Sequence, residues 1–145
     1  MRYRTLGRSE LQVSEIGFGC WEFGGEYGPY EESEIVRAIH RALDLGVTVF
    51  DTARAYGFGR SEELLGKVLG RRRSEVVLVT KVGVERGRDG NDYRDSSRET
   101  LLRAVEDSLR FLRTDAVDLL LIHWPDRGRS WDEPMNTLVE LIDKG

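Results

Sequence analysis

The chain is poor in the residues that build staples and metal sites. Its 145 residues include one cysteine and two histidines. A lone cysteine, Cys20, excludes an internal disulfide framework and suits a reducing compartment. Of the histidines, His40 falls on a helical pattern without a paired ligand, so no metal site is expected. No apolar run approaches the roughly 20 residues of a membrane span. The start, Met1 to Thr5, has no signal-peptide apolar region. Positive charge is not in excess: 22 Lys and Arg face 26 Asp and Glu, a net charge of −4. That balance lacks the basic footprint of a nucleic-acid binder. A phosphate-binding Gly-Lys-Ser or Gly-Lys-Thr motif is absent. No serine sits on a nucleophile elbow, and Cys20 has no evident base. A cytoplasmic globular protein with neither a nucleic-acid nor a membrane partner is expected.

What is present is organised around Val47 to Glu63. Val47-Thr48-Val49-Phe50 is a β-branched run that reads as a buried strand. It ends on Asp51. A loop follows with Tyr56 among small residues and glycines. Ser61 then precedes Glu62, Glu63, Leu64 and Leu65, which reads as a helix start with acids in its first turn. α/β enzymes build sites in such strand-to-helix loops, although a turn alone also favours aspartate.

Around that stretch the pattern repeats. Tyr3 to Val13 reads as a hairpin turning at Gly7-Arg8-Ser9-Glu10, with Leu6, Leu11 and Val13 on its packed face. Glu15 to Gly19 is a short strand whose glycines permit close approach. Gly17 and Gly19 fit the first two glycines of a dinucleotide fingerprint, but Glu22 stands in place of the third. Ile35, Ala38, Ile39, Ala42 and Leu43 give a helix that stops at Gly46. Leu64, Leu65, Val68 and Leu69 give another, closed by Gly70. Arg71-Arg72-Arg73 reads as a solvated helix end rather than a phosphate patch.

Val76 to Lys81 is a third strand, read as apolar throughout and so covered on both faces, that ends on a lysine. Glu85 to Asp95 reads as a long polar loop. Ser96-Ser97-Arg98-Glu99 is a capping box before the stripe Leu101, Val105, Leu109 and Leu112. Val117 to His123 is a fourth strand. A second box, Ser130 to Glu133, opens a helix through Met135, Leu138, Val139 and Ile142, with Pro134 tolerated in its first turn and Gly145 as its end. A hairpin followed by four strand–helix units implies a parallel α/β sheet with right-handed crossovers. Both an open doubly wound sheet and half of a (β/α)₈ barrel fit. A complete barrel needs about 250 residues.

Asp51, Lys81 and His123 each end a different strand, and Tyr56 lies just beyond the first. Parallel strands present their C-terminal ends on one face, so these four can converge. An ordinary phenol, with a pKa near 10, gives up its proton reluctantly at neutral pH. A neighbouring ammonium stabilises phenolate, and an aspartate keeps that ammonium in place. A histidine can orient a carbonyl oxygen. The set suits carbonyl reduction, in which oxygen gains a proton as carbon gains hydride. The hydride must come from a nicotinamide or flavin. Taken singly, Lys81 reads as a snorkelling strand end, His123 as a satisfied half-buried histidine, Tyr56 as a loop aromatic and Asp51 as a turn cap. Trp21 and Trp124 could line an apolar pocket or simply pack.

Asp51-Thr52-Ala53, Tyr56-Gly57 and Ser61-Glu62-Glu63-Leu64-Leu65-Gly66 together resemble the signature of the aldo-keto reductases. So do Ile16-Gly17-Phe18-Gly19-Cys20-Trp21, Val79-Thr80-Lys81, and Leu109 to Leu119 running on to His123-Trp124. The resemblance spans essentially the whole chain. It implies a (β/α)₈ TIM-type barrel, here its first four β/α units: a single domain over 1–145, with a hairpin over 1–14 closing the bottom and the units over 15–145. It implies NADPH-dependent (or NADH-dependent) reduction of aldehydes and ketones. By motif, Tyr56 is then the proton donor, Lys81 and Asp51 tune it, and His123 orients the carbonyl. Gly19, Cys20, Trp21 and Asp51 line the nicotinamide, and Trp21, Tyr56, His123 and Trp124 line the substrate pocket. Family members usually enter a fifth strand where this chain reaches Asp143-Lys144-Gly145. A half barrel leaves two strand edges and an inner apolar face open. The expectation is therefore a fragment, a homodimer of halves, or a half complemented by a separate C-terminal half. Alternatives to an active reductase are a non-catalytic cofactor- or protein-binding subunit, as in reductase-like ion-channel subunits, and an inactive truncated remnant.

Overall fold

The computed structural model of the chain describes residues 1–144. The hairpin comes first, with β1 (Tyr3–Thr5) antiparallel to β2 (Gln12–Ser14). Then come β3 (Gly17–Gly19), α1 (Glu32–Asp44), β4 (Val49–Asp51), α2 (Arg60–Leu69) and β5 (Val77–Val82). The remaining elements are β6 (Val84–Arg86), β7 (Asp92–Arg94), α3 (Arg98–Leu112), β8 (Leu119–Ile122) and α4 (Asp132–Lys144). Short 3₁₀ turns cover Trp21–Gly24 and Gly70–Glu75. Among the described residues no helix is long and apolar enough to cross a membrane.

β3, β4, β5 and β8 form one parallel sheet in that order. Each strand lies beside its predecessor, and the order never reverses. A doubly wound sheet must reverse at a switch point, so this is the winding of a barrel wall, four β/α units long. β5 is flanked on both sides and is buried at every position except Lys81, which is half-buried. Among the described residues β3 and β8 each pair on one side only, and β8 is correspondingly half-exposed. The core between sheet and helices is built from Ile35, Ile39 and Leu43 of α1, Leu64, Leu65 and Leu69 of α2, and Phe50 and Leu78 of the sheet. A second cluster joins Val82 to Leu101, Ala104 and Val105 of α3, with Leu141 of α4 packed against it.

The hairpin is fastened to the N-terminal end of the sheet. Ser14 and Thr48 exchange hydrogen bonds, each backbone N–H donating to the other's hydroxyl at 2.9 Å. The Tyr3 hydroxyl donates to the Gly46 carbonyl at 2.9 Å. This bottom closure leaves the C-terminal strand ends free. Val13 is buried and Leu11 half-buried, but Leu6 is exposed, so the expected packed face loses its first member. The turn explains this: Leu6 N–H and Leu11 C=O pair at 2.9 Å and leave the Leu6 side chain at the rim.

Several boundaries differ from the sequence expectations. The expected loop over 85–95 contains the β6–β7 hairpin, paired from Val84–Arg94 to Arg86–Asp92. Its strands are short and mostly polar, so hydrophobic alternation could not show them. The α3 cap is Ser97, not Ser96, and its side chain accepts from Thr100 N–H. Thr100 in turn donates its hydroxyl to Asp95 at 2.7 Å, which replaces the expected reciprocal Glu99. α2 begins at Arg60 behind Gly59, whose φ of 102° is left-handed, so Ser61 is not its cap. In α1, Ala38 is exposed while Ile35, Ile39, Ala42 and Leu43 are buried. In α4, Pro134 and Thr137 are buried while Met135, Val139 and Ile142 are exposed. The expected helix end at Gly145 lies outside the described residues. Arg72 and Arg73 do not form a free patch: Arg72 pairs with Asp44 and Glu75, and Arg73 with Asp118.

Candidate functional site

The register of the sheet delivers three of the four expected side chains to one end. Asp51 is the last residue of β4, Lys81 the penultimate residue of β5, and His123 follows β8. His123 is tied in place by its N–H, which donates to Val82 C=O at 2.8 Å. Tyr56 comes from the β4–α2 loop, where its N–H closes a turn on Ala53 C=O at 3.0 Å. The chain then passes through three left-handed residues, Gly57, Phe58 and Gly59. Position 57 requires glycine twice over. Its φ is 62°, and an added Cβ would meet the Gly24 carbonyl at 2.6 Å. The loop that carries Tyr56 thus lies backbone to backbone against the 3₁₀ turn that carries Trp21. The Glu26 carboxylate accepts Gly57 N–H at 2.8 Å and holds the two together.

Lys81 is the centre of the arrangement. Its Nζ donates to Asp51 Oδ1 at 2.5 Å, to Thr52 C=O at 2.8 Å and to the Tyr56 hydroxyl oxygen at 3.1 Å. Three acceptors use all three donors of an ammonium. The side chain is 13% exposed, so these contacts are little screened. Because the Tyr56 oxygen accepts from Lys81, the phenol's own hydrogen is free to be donated elsewhere. Lys67, Lys81 and Lys144 are the only lysines in a chain whose other side-chain cations are arginines. At this position a compact three-donor charge fits and a planar guanidinium would not.

His123 packs edge-on against Tyr56, with ring centroids 5.6 Å apart. Burial, and then the Lys81 charge, hold its pKa below the ordinary histidine value, with Asp51 opposing. The neutral imidazole is favoured, and its Nδ1 is buried without a partner among the described residues. Trp21 lies 6.1 Å from Tyr56 on one side, and Trp124 lies 6.0 Å from His123 on the other. Arg94 of β7 covers Trp124 at 5.2 Å. The two tryptophans are about half exposed, so the wall they form opens outward.

Of the residues that the resemblance assigns to a nicotinamide, Gly19 and Asp51 lie side by side at the C-terminal strand ends. A Cβ at Gly19 would meet nothing within 4 Å. A flat ring has room to approach that backbone, and Trp21 beside it is about half exposed. Cys20 turns its side chain away from this end of the sheet. The thiol is fully buried in the core with Phe23, Ile39 and Phe50, and only the backbone of Cys20 borders the site. Burial raises its pKa far above the ordinary thiol value, with Asp51 adding to the rise.

Beneath Asp51, Tyr56, Lys81 and His123 lies a buried polar layer that the sequence reading did not single out. Ser61, Glu62, Thr52 and Thr80 are each fully buried. Thr80 donates its hydroxyl to Glu62 Oε1 at 2.6 Å. The Ser61 and Thr52 hydroxyls bond at 2.8 Å, and Ser61 reaches Cys20 C=O at 2.7 Å. Arg54 lies close by, its N–H donating to Lys81 C=O at 3.0 Å and its guanidinium 3.5 Å from Asp107. One signal was available: Glu62, Leu65 and Leu69 share an i, i+3, i+7 stripe, so a carboxyl stands where the helix turns its apolar face inward.

Residues 15–145 match the model of the Aldo/keto reductase family. The aldo-keto reductase YhdN of Bacillus subtilis is 37% identical over 148 residues, covering 100% of this chain and 44% of the relative. A probable voltage-gated potassium channel subunit beta of Arabidopsis thaliana is 36% identical, again over 100% of this chain and 44% of its own length. Among solved structures, the holo form of aldo-keto reductase AKR11C1 from Bacillus halodurans superimposes with a TM-score of 0.89 at 38% identity, covering 100% of this chain and 47% of that one. The chain spans somewhat less than half the length of these proteins.

Proposed function

The chain belongs to the aldo/keto reductase family, and from that premise we propose that it carries the proton-transfer and carbonyl-orienting residues of a nicotinamide-dependent reductase of aldehydes and ketones. The observation that carries this reading is the triple engagement of Lys81, which holds Asp51 at 2.5 Å and the Tyr56 hydroxyl at 3.1 Å from one ammonium. Tyr56 donates its phenolic proton to the substrate oxygen. The Lys81 ammonium stabilises the phenolate left behind, and Asp51 and Thr52 C=O keep that ammonium in place. His123, with its neutral form favoured, donates an N–H to the same oxygen and fixes its direction without bringing a competing charge. A nicotinamide, NADPH or NADH, supplies the hydride when bound. Gly19, Trp21, Asp51 and the backbone of Cys20 would hold its reactive end. The product is an alcohol, and the phenolate recovers its proton from water.

The test is Tyr56→Phe, assayed by oxidation of NADPH with an aromatic aldehyde. The ring contacts to Trp21 and His123 survive the change, and only one of three Lys81 acceptors is lost. Turnover should fall by about 10²–10⁴, while NADPH affinity, read by fluorescence titration, should stay within about twofold of wild type. Turnover undiminished in the variant would remove Tyr56 from the role of proton donor.

A second reading is a non-catalytic cofactor- or protein-binding subunit, favoured by the 36% identity to the potassium channel subunit beta. It expects saturable NADPH binding by wild type without aldehyde turnover, and no effect of Tyr56→Phe.

A further inference from the structure

We propose that the first turn of α2 is a positioning clamp for the site, in which Ser61 and Glu62 hold three strand ends in register through buried hydrogen bonds to Cys20, Thr52 and Thr80. The proposal rests on the carbonyl-reductase reading for what the clamped residues do, but not for the clamp itself.

Consecutive residues of a helix point about 100° apart, so Ser61 and Glu62 reach different strands. Ser61 reaches Thr52, just past β4, and Cys20 C=O, just past β3, at 2.8 and 2.7 Å. Glu62 reaches Thr80 within β5 at 2.6 Å. Each clamped position is the immediate neighbour of a site residue. Thr52 follows Asp51, Thr80 precedes Lys81, and Cys20 lies between Gly19 and Trp21. Thr52 C=O is itself an acceptor of Lys81 Nζ at 2.8 Å. Strand side chains alternate in direction. Thr80 therefore takes the clamp on the helix side while Lys81 takes Asp51 and Tyr56 on the other. The loop that presents Tyr56 runs from Thr52 to the start of α2, so the clamp also sets the span that loop must bridge.

The polarity of the clamp supports a positioning role. Leucine at position 62 would continue the stripe of Leu65 and Leu69 and would avoid burying a carboxyl, which is costly. Apolar contacts tolerate sliding of a few tenths of an ångström, whereas hydrogen bonds of 2.6–2.8 Å between fully buried groups do not. The 3.1 Å separation of Lys81 Nζ from the Tyr56 oxygen needs that tolerance.

The chain reports on its own geometry. His123 senses the Lys81 charge, and His40 on α1 is the other histidine. Imidazole Cε1–H signals followed by NMR across pH therefore read the site directly, with no turnover required. Thr80→Val removes the hydroxyl that Glu62 accepts and keeps the side-chain shape. Thr80→Ser restores the hydroxyl. In Thr80→Val, Lys81 should draw back and the His123 midpoint should rise toward the ordinary histidine value, with the His40 signal at neutral pH unmoved. In Thr80→Ser it should return to the wild-type value. Under turnover, kcat of Thr80→Val should fall by about 10- to 100-fold with KM unchanged. A folded Thr80→Val with the wild-type His123 midpoint overturns the proposal, and so does a Thr80→Ser displaced as far as Thr80→Val. If Thr80→Val does not fold, Ser61→Ala opens the other arm of the clamp, and its His123 midpoint is read by the same criterion. A wild-type chain without turnover defeats the reductase reading and leaves the titration to decide the clamp.

Discussion

Gly66→Ala sets two well-known effects against each other, and the structure says which wins. Gly66 is buried in the middle of α2. On helix propensity alone, alanine there should stabilise by about 1 kcal/mol. The added Cβ, however, would stand 2.5 Å from the Leu112 carbonyl oxygen, 2.6 Å from its carbon and 2.7 Å from its Cα. These are backbone atoms at the end of α3, and no rotamer change can clear them. Non-bonded carbon atoms sit about 3.5–4.0 Å apart, so the two helices must part locally by roughly 1 Å. Overpacking of this kind costs about 1–3 kcal/mol. Three backbone contacts this short place the cost in the upper part of that range, about 2–3 kcal/mol, so after the propensity gain the net loss is about 1–2 kcal/mol. For a chain near this size each kcal/mol lowers Tm by about 2–4 °C. Urea and thermal unfolding followed by circular dichroism should show the midpoint falling, with the urea slope unchanged. The site should feel it as well, because Gly66 lies one turn past Glu62 on the same side of α2. A midpoint equal to or above wild type would refute the reasoning, since it would mean that α2 and α3 are not in backbone contact.

Three further outcomes follow from titratable groups drawn into the fold. Glu62 is pushed above the ordinary carboxyl value chiefly by burial, with Thr80, Ser108 and Arg54 opposing and Asp107 adding to the rise. A raised acid stabilises the fold fully below its unfolded value near 4.5, and that contribution is lost as pH rises through the folded value. Glu62→Gln should therefore remove a decline in unfolding free energy on the alkaline side of pH 4.5, measured by urea titrations across pH. An unchanged profile would mean that Glu62 is ionised in the fold. His123, held low, works in the opposite sense: its contribution is present above the ordinary value of 6.5 and is lost as pH falls through the folded value. Cys20 is fully buried and its thiol is disfavoured from ionising. A thiol-specific chromogenic disulfide should label it only as the chain unfolds, and rapid labelling of the native protein would place it at the surface.

The parallel strands were legible because burial on both faces writes itself as continuous apolar runs, as in Val76 to Val79, and because each run meets a helical stripe before the next. The choice between an open sheet and a barrel wall was not legible from periodicity. Both give the same alternation, and only the unreversed strand order separates them. Element starts were less secure for a related reason. Ser96 and Ser97 are both favourable cap types, and the helix takes Ser97, whose side chain accepts Thr100 N–H while the Thr100 hydroxyl reaches Asp95 at 2.7 Å. The β6–β7 hairpin left little apolar trace, since four of its six residues are charged.

The site divides along the same line. Asp51, Lys81 and His123 could be read in advance because strand ends are countable positions and their side chains are conspicuous after apolar runs. Tyr56 followed from the glycines around it, whose left-handed turns the structure places where the loop doubles back. Glu62 could not be read in the same way. Two adjacent acids at a helix start, Glu62 and Glu63, have one shared explanation in the helix dipole, and both satisfy it. The structure buries Glu62 completely and leaves Glu63 exposed. What separates them is the direction in which α2 lies on the sheet, and this is encoded in Leu65 and Leu69 rather than in the acids. A polar residue on the apolar stripe of a helix that starts next to a strand-end site is therefore better explained by the strand it faces than by the helix it begins. That reasoning makes Thr80, the one hydroxyl in an otherwise aliphatic run before Lys81, the partner to look for, and Glu62 meets it at 2.6 Å.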